Sequence, residues 1–161
     1  MSQQKHLDLS RYVPALVNFL NNKLSAGAST CYRKHFGVGV VEWRILSMLA
    51  VESGITANRI SQVIGLDKSA VSRAVQTLQN AGYVDGQTDD QDARKYTLSL
   101  TDSGQQIHDR VLQTALERER RLLGDFTPEE VDILVSLLTR MHARVDDVNA
   151  VVPGESLETR S

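Results

Sequence analysis

The segment Gly65-Leu66-Asp67-Lys68-Ser69-Ala70-Val71-Ser72-Arg73 sets a helix stop and a helix start almost back to back. Gly65 supplies the left-handed backbone that ends a helix, and Asp67 the side-chain oxygen that caps the next. Leu66 and Val71 flank that cap at staple spacing, and upstream Thr56 repeats the device with Ile55 and Ile60. Two short helices therefore start at Thr56 and Asp67, joined by a tight turn of the helix-turn-helix kind. The second runs through Val71, Val75 and Leu78 and stops at Gly82. Beyond it the apolar period changes from about 3.6 to 2. Tyr83-Val84 opens a short strand, Asp85 to Ala93 reads as a long polar turn, and Lys95 to Leu100 alternates with Tyr96, Leu98 and Leu100 on one face.

Working outward, Pro14 suits a first helical turn, and Val13, Leu16, Val17, Leu20 and Leu24 recur on one face of a helix that reaches Tyr32 or beyond. Val41, Ile45, Leu46, Met48 and Leu49 mark a second helix, stopped by Ser53-Gly54. On the other side Thr101 can cap a fifth helix with apolar points at Ile107, Val111, Leu112, Ala115 and Leu116. Phe126-Thr127-Pro128-Glu129-Glu130 combines staple, cap, first-turn proline and capping-box glutamate, and so starts a sixth. Its apolar residues, from Val131 through Leu137, Met141 and Val145 to Val148, cover more than one narrow stripe of a single helix.

The expected fold is mainly α with a small β-hairpin wing: a winged helix-turn-helix over residues 40–101, plus a helical dimerisation region from residues 13–36 and 102–150. A tail over 151–161, with Pro153-Gly154 and alternating charge, is expected to be disordered. The apolar faces of the terminal helices exceed what so small a winged module can bury. The economical partner for them is a second copy across a two-fold axis.

Composition narrows the function. The 161 residues hold 18 Lys and Arg against 20 Asp and Glu, a formal charge of −2, so a nucleic-acid surface has to be local. Between Thr56 and Thr101 the cations Arg59, Lys68, Arg73, Arg94 and Lys95 are balanced by Asp67, Asp85, Asp89, Asp90 and Asp92. No apolar run approaches the length of a membrane span, and the polar start, Met1 to Asp8, is unlike a signal peptide, which leads us to expect a cytoplasmic protein. The lone Cys31 excludes an intrachain disulfide, and His6, His35, His108 and His142 are scattered, so no metal and no cofactor is expected. No nucleophile elbow or phosphate-binding glycine loop is present, which argues against an enzyme.

Asp92-Ala93-Arg94-Lys95-Tyr96-Thr97-Leu98-Ser99-Leu100-Thr101 resembles the wing signature D-x-R-x-x-x-x-x-L-T of the MarR family, the multiple-antibiotic-resistance regulators. Asp67 to Arg73 is similar to the start of that family's recognition helix, Leu78 to Val84 to its exit into the wing, and Glu42-Trp43-Arg44-Ile45-Leu46 to its second helix. The resemblance covers roughly Val13 to Val148 and implies six helices, with the hairpin between the fourth and fifth, in an obligate homodimer on palindromic operator DNA. It commonly implies release by a small phenolic or aromatic acid.

On a recognition helix starting at Asp67, Arg73 is the candidate for reading guanine, and Lys68, Ser69 and Ser72 for phosphate or mixed contacts. Arg94 is expected in the minor groove, oriented by Asp92, with Lys95 on a phosphate. The plainer alternatives are a solvated helix face and a surface ion pair. By the same resemblance Phe19, Lys23, Trp43, Arg44 and Met48 are candidate effector-lining residues, with Arg44 or Lys23 pairing a carboxylate; core packing is the alternative for Trp43 and Met48. Cys31, four residues before His35, is a candidate thiol switch. The leading expectation is a homodimeric repressor released from its operator by an aromatic or anionic metabolite, such as an aromatic acid or its thioester. A thiol-switched regulator and a protein-binding winged helix without an operator are the competing readings.

Overall fold

The computed structural model describes residues 6–88 and 95–153. Its elements, in order, are α1 (Val13–Phe36), α2 (Val40–Val51), α3 (Ala57–Ile64), α4 (Lys68–Asn80), β1 (Val84–Thr88), β2 (Tyr96–Leu100), α5 (Asp102–Leu122), α6 (Pro128–His142) and α7 (Val145–Asn149). The chain divides into two compact units, Met1–Ala115 and Leu116–Ser161.

The first unit contains the core. Ile45, Leu46 and Leu49 of α2, Ile60 of α3, Val71, Val75 and Leu78 of α4, Leu98 of β2, and Ile107 and Val111 of α5 are all buried in one cluster. Local signals place the helix ends. Thr56 Oγ1 accepts the Arg59 N–H at 3.2 Å, and Asp67 Oδ1 accepts that of Ala70 at 2.8 Å. Gly37 and Gly65 close α1 and α3 at φ 73° and 67°, the region where a Cβ is penalised. Upstream of α1, in a stretch where the sequence shows no period, Asp8 folds a turn by accepting the Ser10 N–H at 2.9 Å.

The hairpin differs from the sequence expectation in its extent. β1 does not end at Val84: Asp85, Gly86, Gln87 and Thr88 pair with Ser99, Leu98, Thr97 and Tyr96. Asp85 and Gly86 have little strand propensity of their own, and pairing with the strongly alternating β2 recruits them. Leu98 is held on its other side as well, its N–H donating to the Ile55 carbonyl at 2.8 Å.

In the second unit Thr127 and Glu130 form the expected capping box, with bonds of 3.3 and 2.8 Å. The expected single helix through Val148 is two. α6 ends at His142, the Arg144 N–H turns to the Met141 carbonyl at 3.0 Å, and α7 begins at Val145. Asp146 and Asp147 fall in the first turn of α7, where carboxylates favour a helix start, and Arg144 pairs with Asp147 at 3.4 Å. No residue of α6 or α7 is buried within the chain, and Val151, Val152 and Pro153 of the expected tail are exposed, with 154–161 outside the described residues.

Candidate nucleic-acid interface

The amphipathic division of α4 builds the candidate site. Val71, Ala74, Val75 and Leu78 face the core, which leaves Lys68, Ser69, Ser72 and Arg73 exposed on the outer side of the first two turns. The same stripe continues one turn further with exposed Gln76 and Thr77, which the sequence reading missed although the i, i+3, i+4 spacing points to them.

The start of this helix is tightly held. Ser69 Oγ donates to Asp67 Oδ1 beside the Ala70 N–H. The Ser69 hydroxyl and then the Ala70 amide hold the Asp67 carboxyl below the usual carboxylate range, with the charge of Arg73 a minor contributor. Ser69 thereby commits its one proton to the cap and keeps lone pairs to offer. Beside α4 lies a cleft of about 220 Å³ shared by Arg33 of α1, Val41 and Glu42 of α2, and Arg73 and Thr77 of α4. Arg33 and Glu42 crowd over Gly39, where a Cβ would strike both side chains. No local pattern marks Arg33, because only the packing of α1 on α2 brings it there.

The wing is anchored at its base. Gly54 donates its N–H to Leu98 O at 3.0 Å, Ser53 Oγ donates to Ser99 Oγ at 3.0 Å, and Thr101 Oγ1 donates to Gly82 O at 2.7 Å. Lys95 is exposed immediately before β2, and Asp92 and Arg94 lie outside the described residues.

The effector candidates sit on α1 and α2 in different environments. Phe19 and Lys23 are exposed on α1, whereas Trp43 and Met48 pack against the core. Arg44 Nη2 donates to Ser25 Oγ at 2.9 Å and so ties α2 to α1. Trp43 stacks on His108 of α5 with ring centroids 5.2 Å apart, and meets Tyr32 edge-on at 6.0 Å. His108 Nδ1 lies 2.9 Å from Asp109 Oδ1, and that contact, ahead of one from Gln105, holds the Asp109 carboxyl below its ordinary value. This pairing of Trp43 with His108 had no sequence signal. Cys31 is half-buried against the core, while His35 is exposed with its ring against Phe36. Among the described residues no cluster of three metal-ligating side chains occurs, and no helix is long and apolar enough to cross a membrane.

Comparison with known proteins agrees with this geometry. A profile of the MarR family matches residues 36–95. The HTH-type transcriptional regulator YdgJ of Bacillus subtilis is 25% identical over 71% of this chain and 70% of its own. The PcaV transcriptional regulator of Streptomyces coelicolor, solved in complex with its natural ligand, is 22% identical and shares the fold with a TM-score of 0.72, over 88% of this chain and 99% of that one. The crystal structure of a MarR/EmrR family transcriptional regulator from Acinetobacter sp. ADP1 is 38% identical with a TM-score of 0.82, covering 88% of this chain and 99% of that chain. An identity of that size, sustained over the whole length of a solved relative, means that this chain belongs to the MarR family of winged helix-turn-helix, DNA-binding transcriptional regulators.

Proposed function

We propose that the protein is a homodimeric repressor that binds a pseudo-palindromic operator and leaves it when a small aromatic or anionic metabolite binds. The observation that carries this reading is α4, whose capped N-terminal turns present Lys68, Ser69, Ser72 and Arg73 to solvent from a helix fixed by its buried face. A helix so presented enters the major groove, with Arg73 reaching a base edge and Lys68 a phosphate. Lys95 follows the backbone beside the wing, and the wing-signature residues Arg94 and Asp92 take the minor groove.

In this reading residues 40–101 bind DNA, while 13–36 and 102–150 supply the dimer contacts. The apolar exposure of Leu16, Val17 and Leu20 on α1 and of Leu137, Leu138 and Met141 on α6 supports that role. Two recognition helices about 34 Å apart then match successive major grooves. An effector that alters this spacing breaks simultaneous engagement. Among Phe19, Lys23, Trp43, Arg44 and Met48, Arg44 is best suited to a carboxylate, since its guanidinium can exchange Ser25 for a stronger charged acceptor. The reading requires no catalysis and places the protein in the cytoplasm with its DNA.

The test is selection of duplexes from a random-sequence pool, followed by binding of the selected duplex across a salt series with and without a panel of aromatic acids and their thioesters. A steep salt dependence, a dimer on the DNA and weakening by one acid are expected. Weak binding that ignores sequence would overturn the reading and favour a protein-binding winged helix.

A further inference from the structure

The hairpin's anchors at Leu98, Ser99 and Thr101 lie on its middle rung or nearer its base, and bind the segment before α3 or the turn after α4. One contact lies further out. The Tyr96 hydroxyl accepts a hydrogen bond from Gln79 Nε2 of α4 at 3.0 Å. The strand register pairs Thr88 with Tyr96 and Gly86 with Leu98, so Gly86 is the diagonal neighbour of Tyr96. A Cβ on Gly86 would fall on the Tyr96 hydroxyl and Cζ, which means that the ring needs a glycine beneath it. Glycine weakens a strand interior, and close approach of another group is the usual reason for one there.

We propose that Tyr96 is a positioning residue for DNA binding: seated over Gly86 and bonded to Gln79, it locks the Thr88–Tyr96 rung of the hairpin to the recognition helix. The two groove-reading elements then meet the duplex as one body, with Lys95, the residue next to Tyr96, held at a fixed offset from Arg73. Tyr96 is 48% exposed, so its hydrogen bond contributes little to folding and acts mainly by fixing this offset. The inference rests on the DNA-binding reading above.

The test uses the full-length chain and a duplex that the wild type selects from a random pool. Tyr96→Phe keeps the ring and removes only the bond. It should leave the melting temperature unchanged and weaken binding about 3- to 10-fold. Gln79→Ala should do the same, and the double variant should be no worse than either single one. Lys95→Ala, which should lower the salt slope by about 1 in the wild type, should lower it less in the Tyr96→Phe background. If Tyr96→Phe binds as wild type while Arg73→Ala loses affinity, the positioning role is overturned and the DNA-binding reading stands. If Arg73→Ala also binds as wild type, or no duplex is selected, both fall. A lowered melting temperature in Tyr96→Phe with the full Lys95→Ala effect retained would show a merely structural residue and overturn the proposal.

Discussion

Gly104, in the first turn of α5, lies against the backbone of Tyr83 so closely that a Cβ at 104 would fall on the Tyr83 carbonyl oxygen. That carbonyl also accepts the Thr101 N–H at 3.1 Å, while the Thr101 and Ser103 hydroxyls both donate to Gly82 O. The start of α5 is thus fastened to the joint between α4 and the hairpin. Two effects oppose each other in Gly104→Ala. Helix propensity favours alanine by about 1 kcal/mol, whereas forcing a methyl into packed backbone costs about 1–3 kcal/mol. Because the obstacle is backbone and not a movable side chain, we expect net destabilisation, read as a lower urea midpoint; a raised midpoint would mean that α5 shifts freely at this point.

Asp67 gives a pH-dependent prediction. The Ser69 hydroxyl, then the Ala70 amide, holds its carboxyl below the ordinary range in the folded protein. A depressed folded-state pKa means that the stability it brings is present above the unfolded value, about 3.9, and is lost as pH falls through the lowered one. The stability difference between wild type and Asp67→Ala should therefore stay constant above about pH 5 and shrink on acidification. Asp67→Asn, still a good cap, should match wild type near neutrality without that acid dependence. Denaturant titrations at a series of pH values measure this, and parallel wild-type and Asp67→Ala curves down to low pH would refute it.

The part of the fold legible in the sequence is the part written in short-range chemistry. The caps at Thr56, Asp67 and Thr127 lie where the sequence puts them, because each is a side chain bonding backbone three residues on. The exposed face of α4 was legible for a similar reason, since Val71, Val75 and Leu78 fix which way Arg73 points. What depends on distant partners was not. Residues 85–88 read as a turn and become strand only through Tyr96 to Ser99, and Gly86 looks like a turn glycine until the Tyr96 ring is seen over it. Nothing near Trp43 announces His108, and nothing near Gln79 announces Tyr96. The break between α6 and α7 has neither glycine nor proline to mark it.

Arg73 and Lys68 should separate sequence reading from charge. Arg73 is exposed on the second turn of α4, and Lys68 opens the first. Losing a bidentate contact to guanine costs about 1–3 kcal/mol, or roughly 5- to 150-fold, and relaxes preference at one position. Losing a phosphate contact weakens all sequences alike and lowers the salt slope by about 1. Titrations of Arg73→Ala and Lys68→Ala against a selected duplex and a scrambled one should show these two patterns respectively. The same pattern for both variants would place Arg73 on the backbone instead.

In the second unit α6 has no buried residue, and Ile133, Leu137 and Met141 are 59%, 47% and 41% exposed. A monomer seldom leaves so continuous an apolar surface in water, and Leu137, Met141 and Val148 together line a cleft of about 610 Å³ that offers a partner a place to insert. If a second copy covers this face, two carboxylates placed in the contact would cost several kcal/mol, which Arg140 and Arg144 of the same cleft offset only in part, since Arg144 is already paired with Asp147. Leu137→Asp combined with Met141→Asp should therefore sediment as a monomer with unchanged helical circular dichroism, since both positions are solvated in the isolated chain. Each monomer would hold a single half-site, so affinity for a palindromic duplex should fall at least tenfold, while the dependence on Arg73 within a half-site persists. A variant that remains dimeric and binds the palindrome as wild type would show that α6 is not the surface through which two copies meet.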